Sequence, residues 1–356
     1  MSPITVIVLI FCFIGAADKL LGNKFGLGQE FEKGFALFVP MAFSMLGMLV
    51  IAPAVGVWLT PSFEKFYNTF GMDPSIIPAS LFANDMGGYT VSRAVCKNEA
   101  IGAYNAFVIS SMMGAVISFT IPFSLSMVKK EQHKDLLFGL LCGIITVPVG
   151  SFVAGLMCGI GVGELLLNLL PLLILSAIVA VGIILIPKIC IRIFSVFGRF
   201  MQIVSMLGLL FAIFTFLTKI EINPHFDTLE NAAFICVNAS VTLSGMLVLM
   251  CLVTRLLCKP MECLGKKVGL DPISAVTFLS NMVTNALTFG AMDKMNRKGV
   301  VLNSAFAVSA AFMLGGHLAF TMAYDASYVA PMMVGKFISG ISAIALAAIL
   351  FKEKSE

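Results

Sequence analysis

Nine apolar runs divide this chain, each close to the roughly 20 residues that cross the hydrocarbon of a bilayer. Only 12% of the residues are charged and 59% are apolar, which excludes an ordinary soluble domain. The sequence therefore predicts an all-α polytopic membrane protein with about nine spanning helices. The predicted spans cover residues 3 to 21, 35 to 59, 101 to 128, 136 to 158, 164 to 187, 193 to 217, 232 to 257, 299 to 323 and 328 to 350.

A repeat with a fixed offset is the second feature. Gly-Met-Asp-Pro at residues 71–74 returns as Gly-Leu-Asp-Pro at residues 269–272, an offset of 198 positions (269 minus 71). Each motif opens a short apolar segment, 74–92 and 272–291, with polar residues in its middle. Lipid-facing helices avoid such residues. We therefore predict two re-entrant or broken segments, one in each copy of a duplicated unit.

The distribution of basic residues predicts the topology. If both short segments re-enter, eighteen Lys and Arg residues fall on one membrane face and four on the other. The positive-inside rule assigns the larger set to the cytoplasm, which leaves the N-terminus outside and the C-terminus cytoplasmic. Between the span at 35–59 and its equivalent at 232–257, the chain would cross the membrane five times. Because five is an odd number, the second copy would be inverted relative to the first. The predicted units are a first repeat at 1–160, a connector helix at 161–190 and a second repeat at 191–356.

Asp85 is the strongest candidate for binding in the first broken segment. A carboxylate near the middle of an apolar segment is costly and normally faces a cavity or a partner. Asn84 precedes it, and Gly87 and Gly88 follow, which permits a tight turn and close backbone approach. Inverted repeats with broken segments near the midplane are a recurrent transporter plan. The alternative is that Asp85 reaches the surface or pairs with Arg93.

The second broken segment carries no charge but is rich in hydrogen-bonding groups. Asn281, Thr284 and Asn285 occupy its centre. One acidic and one amide-containing segment suit a small substrate with a cationic end and a polar neutral end. The alternative is that these side chains only cap and join the broken helix.

Two further polar residues lie inside predicted spans. His317 follows a pair of glycines and is a candidate to gate, to accept a substrate hydroxyl or to relay a proton. The alternative is that it only forms a hydrogen bond between helices. Lys336 lies in the last span and either forms an ion pair or gate, or extends its ammonium toward the membrane surface. Asn105 and Asn303 occupy equivalent positions in the two copies, and we expect them to bridge helices.

The sequence does not point to catalysis or cofactors. It lacks zinc-protease, serine-hydrolase and nucleotide-binding motifs, and its nine cysteines have no metal-ligand spacing. The basic residues lie in short loops, where they set topology rather than bind nucleic acid. We expect no enzyme activity, no metal and no cofactor. The expected partners are a small amine and the lipid bilayer, and a homo-oligomer is left open.

The chain resembles the ethanolamine-utilisation transporter family, the permeases of bacterial ethanolamine-degradation operons. The likeness runs nearly end to end. It departs from the family at Gly316, where the family has aspartate, and at Thr284, where it has a second asparagine. The residues that carry the resemblance are Asp85–Gly88, Phe306–Phe312, His317–Leu318 and Val334–Lys336.

The resemblance implies ethanolamine transport in the bacterial inner membrane. The amine, with a pKa near that of lysine at about 10, is a cation at neutral pH and would bind Asp85. The amides or His317 would meet its hydroxyl, and a rocking or elevator-like motion would expose the site alternately. A cation moving alone would be driven by the membrane potential, so we expect facilitated uniport. The alternatives are a sodium- or proton-coupled carrier of another amine or amino acid, and a receptor or scaffold that tolerates Asp85→Asn.

Overall fold

The structure, a computed structural model, describes residues 3–351, so the predicted cytoplasmic C-terminus and the end of the second repeat lie outside the described residues. Residues 3–351 contain helices and no strands. The helical runs are α1 (Pro3–Leu20), α2 (Leu27–Phe70), α3 (Ile76–Leu81), α4 (Gly88–Val95), α5 (Glu99–Met127), α6 (Lys130–Met157), α7 (Val162–Leu185), α8 (Pro187–Thr218), α9 (Leu229–Lys267), α10 (Pro272–Val283), α11 (Asn285–Gly290), α12 (Arg297–Ala310), α13 (Gly316–Tyr324) and α14 (Ala326–Leu350).

Eight of the helical runs within residues 3–351 are long and apolar enough to cross a membrane. They coincide with eight of the nine predicted spans, which confirms the all-α polytopic membrane fold. The ninth prediction, a span at 299–323, differs in detail. It consists of two helices, α12 and α13, separated by residues 311–315.

The two ends of the first short segment, α3 and α4, are joined by hydrogen bonds to one side chain. Asp73 precedes α3, and its carboxylate accepts hydrogen bonds from the backbone N–H groups of Lys97 (2.9 Å) and Asn98 (2.8 Å), which follow α4. The Asn98 side chain then caps α5 by accepting from Ala100 N (2.9 Å). We call residues 74–95 hairpin 1, since its two ends meet at Asp73.

The second short segment, α10 and α11, is closed in the same way. The carboxylate of Asp271, which precedes α10, accepts from Asn296 N (2.9 Å) and from Ser274 N (2.9 Å). The Asn296 side chain caps α12 by accepting from Gly299 N (2.7 Å). We call residues 272–295 hairpin 2. Each short segment therefore forms a closed hairpin, and its re-entry into the membrane stays a prediction.

The hairpins enter the protein from opposite ends. Hairpin 1 closes beside the start of α5. The far end of α5, about 43 Å away for 29 residues, adjoins hairpin 2, because Lys129 forms an ion pair with Asp293 (3.3 Å) and Gln132 donates to Met292 O (2.7 Å).

Three helices form a tightly packed scaffold around the hairpins. α6 approaches α12 and α14 so closely that a Cβ at Gly139 would lie 2.3 Å from Val301 O, and one at Gly150 would lie 2.0 Å from the carbonyl oxygen of Gly335. Small residues allow such close helix packing in membranes. α14 therefore packs closely against α6.

Candidate functional site

The break in hairpin 1 depends on two glycines. α3 ends at Leu81, residues 84–86 form one 3₁₀ turn, and Gly87 adopts a left-handed conformation (φ +90°) before α4 begins. A Cβ at Gly88 would lie 2.3 Å from Phe82 O, and one at Gly87 would lie 2.8 Å from Met48 Cε. Both glycines are thus required by the turn that presents Asp85. Direct contact between these glycines and a substrate stays a prediction.

Asp85 and Asn84 project from this turn into different surroundings. Asp85 keeps accessible surface, and its carboxylate accepts no hydrogen bond from another residue in the described part of the chain. Asn84 is completely buried, and its amide oxygen and nitrogen find no hydrogen-bond partner there. The suggested pairing of Asp85 with Arg93 is wrong, because Arg93 donates to Glu99 Oε2 (2.5 Å).

Lys336 and His317 lie together beside Asp85. The Lys336 side chain is 1% exposed, and Nζ donates to the carbonyl oxygen of Ser111 and lies 3.1 Å from His317 Nδ1. The ammonium is not within ion-pair distance of the Asp85 carboxylate, although the turn that carries Asp85 packs against the helical turns that carry Ser111. The alternative in which Lys336 reaches the membrane surface is therefore wrong. Ser111 belongs to the π-helical turns at 105–114, a geometry often found at functional sites.

The interruption at 311–315 pairs with the end of α10 in hairpin 2. Phe312 N donates to Asn281 O (3.3 Å), and Leu314 N donates to Met282 O (2.8 Å). A Cβ at Gly315 would lie 2.0 Å from Val283 O, so only glycine fits this approach. This break was not predicted from the sequence. The adjacent pair Gly315 and Gly316 was the available signal.

The polar side chains of hairpin 2 are partly used within the protein. Asn281 Nδ2 donates to Asn303 O (3.2 Å), while its Oδ1 has no partner among the described residues. Thr284 caps α11 by accepting from Ala286 N (3.3 Å). Asn285 is completely buried, with neither amide atom paired in the described structure. Buried unpaired polar atoms are rare in proteins and call for an explanation, such as a ligand that bonds to them.

Asn105 and Asn303 serve the structure, as expected. Asn105 Nδ2 donates to Ser75 Oγ (2.8 Å), and Asn303 Nδ2 donates to Ser274 O (2.9 Å). Each therefore ties the base of its own hairpin to the following helix.

An aromatic cluster, absent from the sequence-based predictions, adjoins hairpin 1. We define it as Tyr89, Phe107, Phe320, Tyr324 and Tyr328. Tyr89, one turn after Asp85, lies 4.2 Å from the ring centre of Tyr324 and 4.8 Å from that of Phe107, and Phe107 stacks on Tyr328 at 4.9 Å. Aromatic faces attract organic cations. The cluster therefore places aromatic rings one helical turn from Asp85.

Thr321 is another residue that sequence analysis missed. It lies one turn after His317 in α13, is completely buried, and its hydroxyl has no partner among residues 3–351. Hydroxyls are common in membrane helices, so the sequence gave no reason to select this one. Lys336 and His317 are thus in direct contact, His317 lies on a helix that packs against the turn carrying Asp85, and the His317 ring lies 5.1 Å from that of Phe312 in the helix break at 311–315.

Comparison with known proteins gives a consistent result. Residues 2–350 match the family described as "Ethanolamine utilisation protein, EutH". The chain is 34% identical to "Probable ethanolamine permease EutH" of Listeria monocytogenes, over 96% of this chain and 92% of the relative. It is 33% identical to "Uncharacterized protein YxeR" of Bacillus subtilis and 32% identical to "Probable ethanolamine permease EutH" of Escherichia coli, each over 98% of this chain and 94% of the relative. No solved structure matches.

Proposed function

Because the chain belongs to the ethanolamine utilisation protein (EutH) family, we propose that this membrane transporter carries ethanolamine and binds its ammonium group at Asp85. The observation that carries the proposal is the Asp85 carboxylate itself. It is presented by a helix break within the membrane protein, keeps accessible surface, and accepts no hydrogen bond from another described residue. An ammonium group supplies the hydrogen-bond donors that this carboxylate lacks, and hydrogen bonds between two charged groups are the strong ones.

The second functional group of ethanolamine also has candidate partners. Its hydroxyl can both donate and accept one hydrogen bond, which suits an amide side chain. Asn84 and Asn285 are buried with unpaired amides, and Asn281 has an unpaired oxygen. We propose that one or more of these amides, together with His317 or Thr284, orient the hydroxyl.

The hairpin arrangement supports facilitated alternating access. The two hairpins enter from opposite ends of α5, and the carboxylates at their bases form equivalent hydrogen bonds. In the proposed mechanism, inverted repeats at 1–160 and 191–356 rock or slide about the site, with 161–190 as connector. The proposed orientation, in the bacterial inner membrane, leaves the N-terminus outside and the C-terminus in the cytoplasm.

One observation favours a second candidate substrate. Gly316, where the family has aspartate, leaves open space, since a Cβ there would meet no atom within 4 Å. This space lies next to His317 and would admit an amine with an additional substituent. A carrier of such an amine, coupled to sodium or protons, is the alternative. Competition by substituted amines against ethanolamine uptake distinguishes the two.

Uptake of radiolabelled ethanolamine into proteoliposomes tests the proposal. We expect saturable uptake by the wild-type protein and a loss of at least about 30-fold in Asp85→Asn, because removing one partner of a buried charge pair costs 2–5 kcal/mol. Asp293→Asn is the matched control, since it removes a carboxylate from a surface ion pair. Wild-type uptake no faster than in protein-free liposomes would refute ethanolamine transport. Normal uptake by Asp85→Asn would refute the assigned site.

A further inference from the structure

The buried Lys336 ammonium has fewer acceptors than it has protons to donate. A lysine ammonium carries three N–H donors, and a neutral lysine amine carries two. Nζ has two hydrogen-bond partners among the described residues, Ser111 O and His317 Nδ1. Both are uncharged when the imidazole is neutral. With the imidazole proton on Nε2, both partners are acceptors, and the local hydrogen bonding of Lys336 accommodates a neutral amine without leaving a donor unpaired.

The charge balance of the site depends on one carboxylate. Two titratable groups lie on the elements that meet around Lys336. The Asp85 carboxylate is on the turn that packs against the helical turns carrying Ser111, and the His317 imidazole lies 3.1 Å from Nζ. The charged residues of α5, α6 and α12, which pack on α14, lie near the starts of those helices, at 99, 130–135 and 297–298. Tyr104 of α5 is occupied by a hydrogen bond to Ser151 O (2.7 Å). With Asp85 and Lys336 both ionised, the interior charge is balanced before any substrate enters.

A cationic substrate upsets this balance. An ammonium bound to Asp85 would leave two positive charges facing one negative charge in a poorly solvated interior, where like charges disfavour ionisation. The simplest way to restore neutrality is for Lys336 to lose its proton. The two hydrogen bonds of Lys336 survive this loss, as described above.

We propose that the substrate ammonium and the Lys336 proton compete for Asp85, so that the protein exchanges one amine cation for one proton. When the amine cation binds, Nζ passes a proton to water on the open side, directly or through His317 Nδ1, which lies 3.1 Å away. After the amine cation leaves on the other side, Nζ takes a proton from water there. Each cycle carries one positive charge in each direction. The inference rests on the proposed function and replaces the uniport expected from the sequence.

The test compares a membrane potential with a pH gradient as the driving force for ethanolamine in proteoliposomes. A uniported cation would accumulate about 50-fold at an inside-negative potential of 100 mV. Exchange predicts that the membrane potential alone causes no accumulation of ethanolamine. Under a pH gradient, exchange predicts that the inside-to-outside ratio of ethanolamine equals the inside-to-outside ratio of protons. Protein-free liposomes correct for permeation of the neutral amine. In Lys336→Gln we expect accumulation by the potential to appear, whereas Lys130→Gln, which removes an exposed lysine, should behave as wild type.

Proton release on binding is a second readout that needs no variant. Calorimetric titration of ethanolamine into the detergent-solubilised wild-type protein, in buffers of different ionisation enthalpy, should show one proton released per amine bound. Potential-driven accumulation in the wild type, or binding without proton release, would overturn the exchange and leave ethanolamine transport intact. Absence of any Asp85-dependent uptake would instead refute the proposed function.

Discussion

Replacing Gly315 by alanine should destabilise the protein, whereas the same change at Gly316 should not. A Cβ at Gly315 would lie 2.0 Å from Val283 O, and real Cβ contacts essentially never fall below 3.0 Å. The segments that contain Gly315 and Val283 must therefore separate by at least 1.0 Å (3.0 minus 2.0). The neighbouring bond from Leu314 N to Met282 O, now 2.8 Å, would stretch to about 3.8 Å and be lost.

The expected cost follows from these two effects. Overpacking costs about 1–3 kcal/mol, and a lost backbone hydrogen bond costs about 1 kcal/mol, which gives roughly 2–4 kcal/mol for Gly315→Ala. At about 2 °C per kcal/mol, the Tm should fall by roughly 4–8 °C. A Cβ at Gly316 meets nothing within 4 Å. Because Gly316 begins α13, alanine there should be neutral or stabilising by up to about 1 kcal/mol.

Thermal unfolding in detergent, followed with a thiol-reactive dye, can measure both variants. The buried thiols of Cys142 and Cys236 become reactive only on unfolding. The adjacent glycines serve as each other's control, since they share sequence context and chemical change. Equal melting temperatures for Gly315→Ala and Gly316→Ala would refute the argument that the close approach of Gly315 to Val283 O holds hairpin 2 against the helix break at 311–315.

Three further variants test other parts of the structure. Gly316→Asp should keep the wild-type Tm, because space is available, and should lower the KM for ethanolamine by about ten-fold if the added carboxylate meets the ammonium. Tyr89→Leu should raise that KM roughly 3- to 30-fold through loss of a cation–π contact, whereas Phe66→Leu, at the far end of α2, should leave it unchanged. Burial alone would raise the pKa of Asp271, but hydrogen bonds from Ser274 and Asn296 hold it below its usual value. The resulting stability is present above the unfolded pKa of about 3.9 and is lost as pH falls through the lower folded pKa. Asp271→Asn should therefore lower the Tm at pH 7, with a difference from wild type that narrows below about pH 4.

The sequence was sufficient for the features that depend on composition and local pattern. Apolar runs located the spans, and the repeated Gly-x-Asp-Pro motif located the bases of both hairpins. The break at 311–315 was missed, because a long apolar run looks like one continuous helix. Its cause is tertiary, namely the carbonyl oxygen of Val283 from another segment, which leaves no room for a side chain at Gly315.

The environment of Lys336 could not be predicted for a similar reason. Hydropathy locates a lysine within a span but does not say which face of the helix it occupies. In the structure, the π-helical turns of α5 present Ser111 O, and the start of α13 presents His317, to the same side of α14. These neighbours are distant in sequence. Only their assembly shows that the ammonium is held inside the protein.

The closure of each hairpin at its base separates two kinds of restraint on the chain. Asp73 holds the two ends of hairpin 1, and Asp271 holds those of hairpin 2, by accepting hydrogen bonds from backbone N–H groups. The tip of hairpin 2 is instead held by its fit to the helix break at 311–315, where Leu314 N donates to Met282 O. A loosened tip contact would therefore leave the ends of the hairpin joined, so that a tip can shift while its base stays anchored.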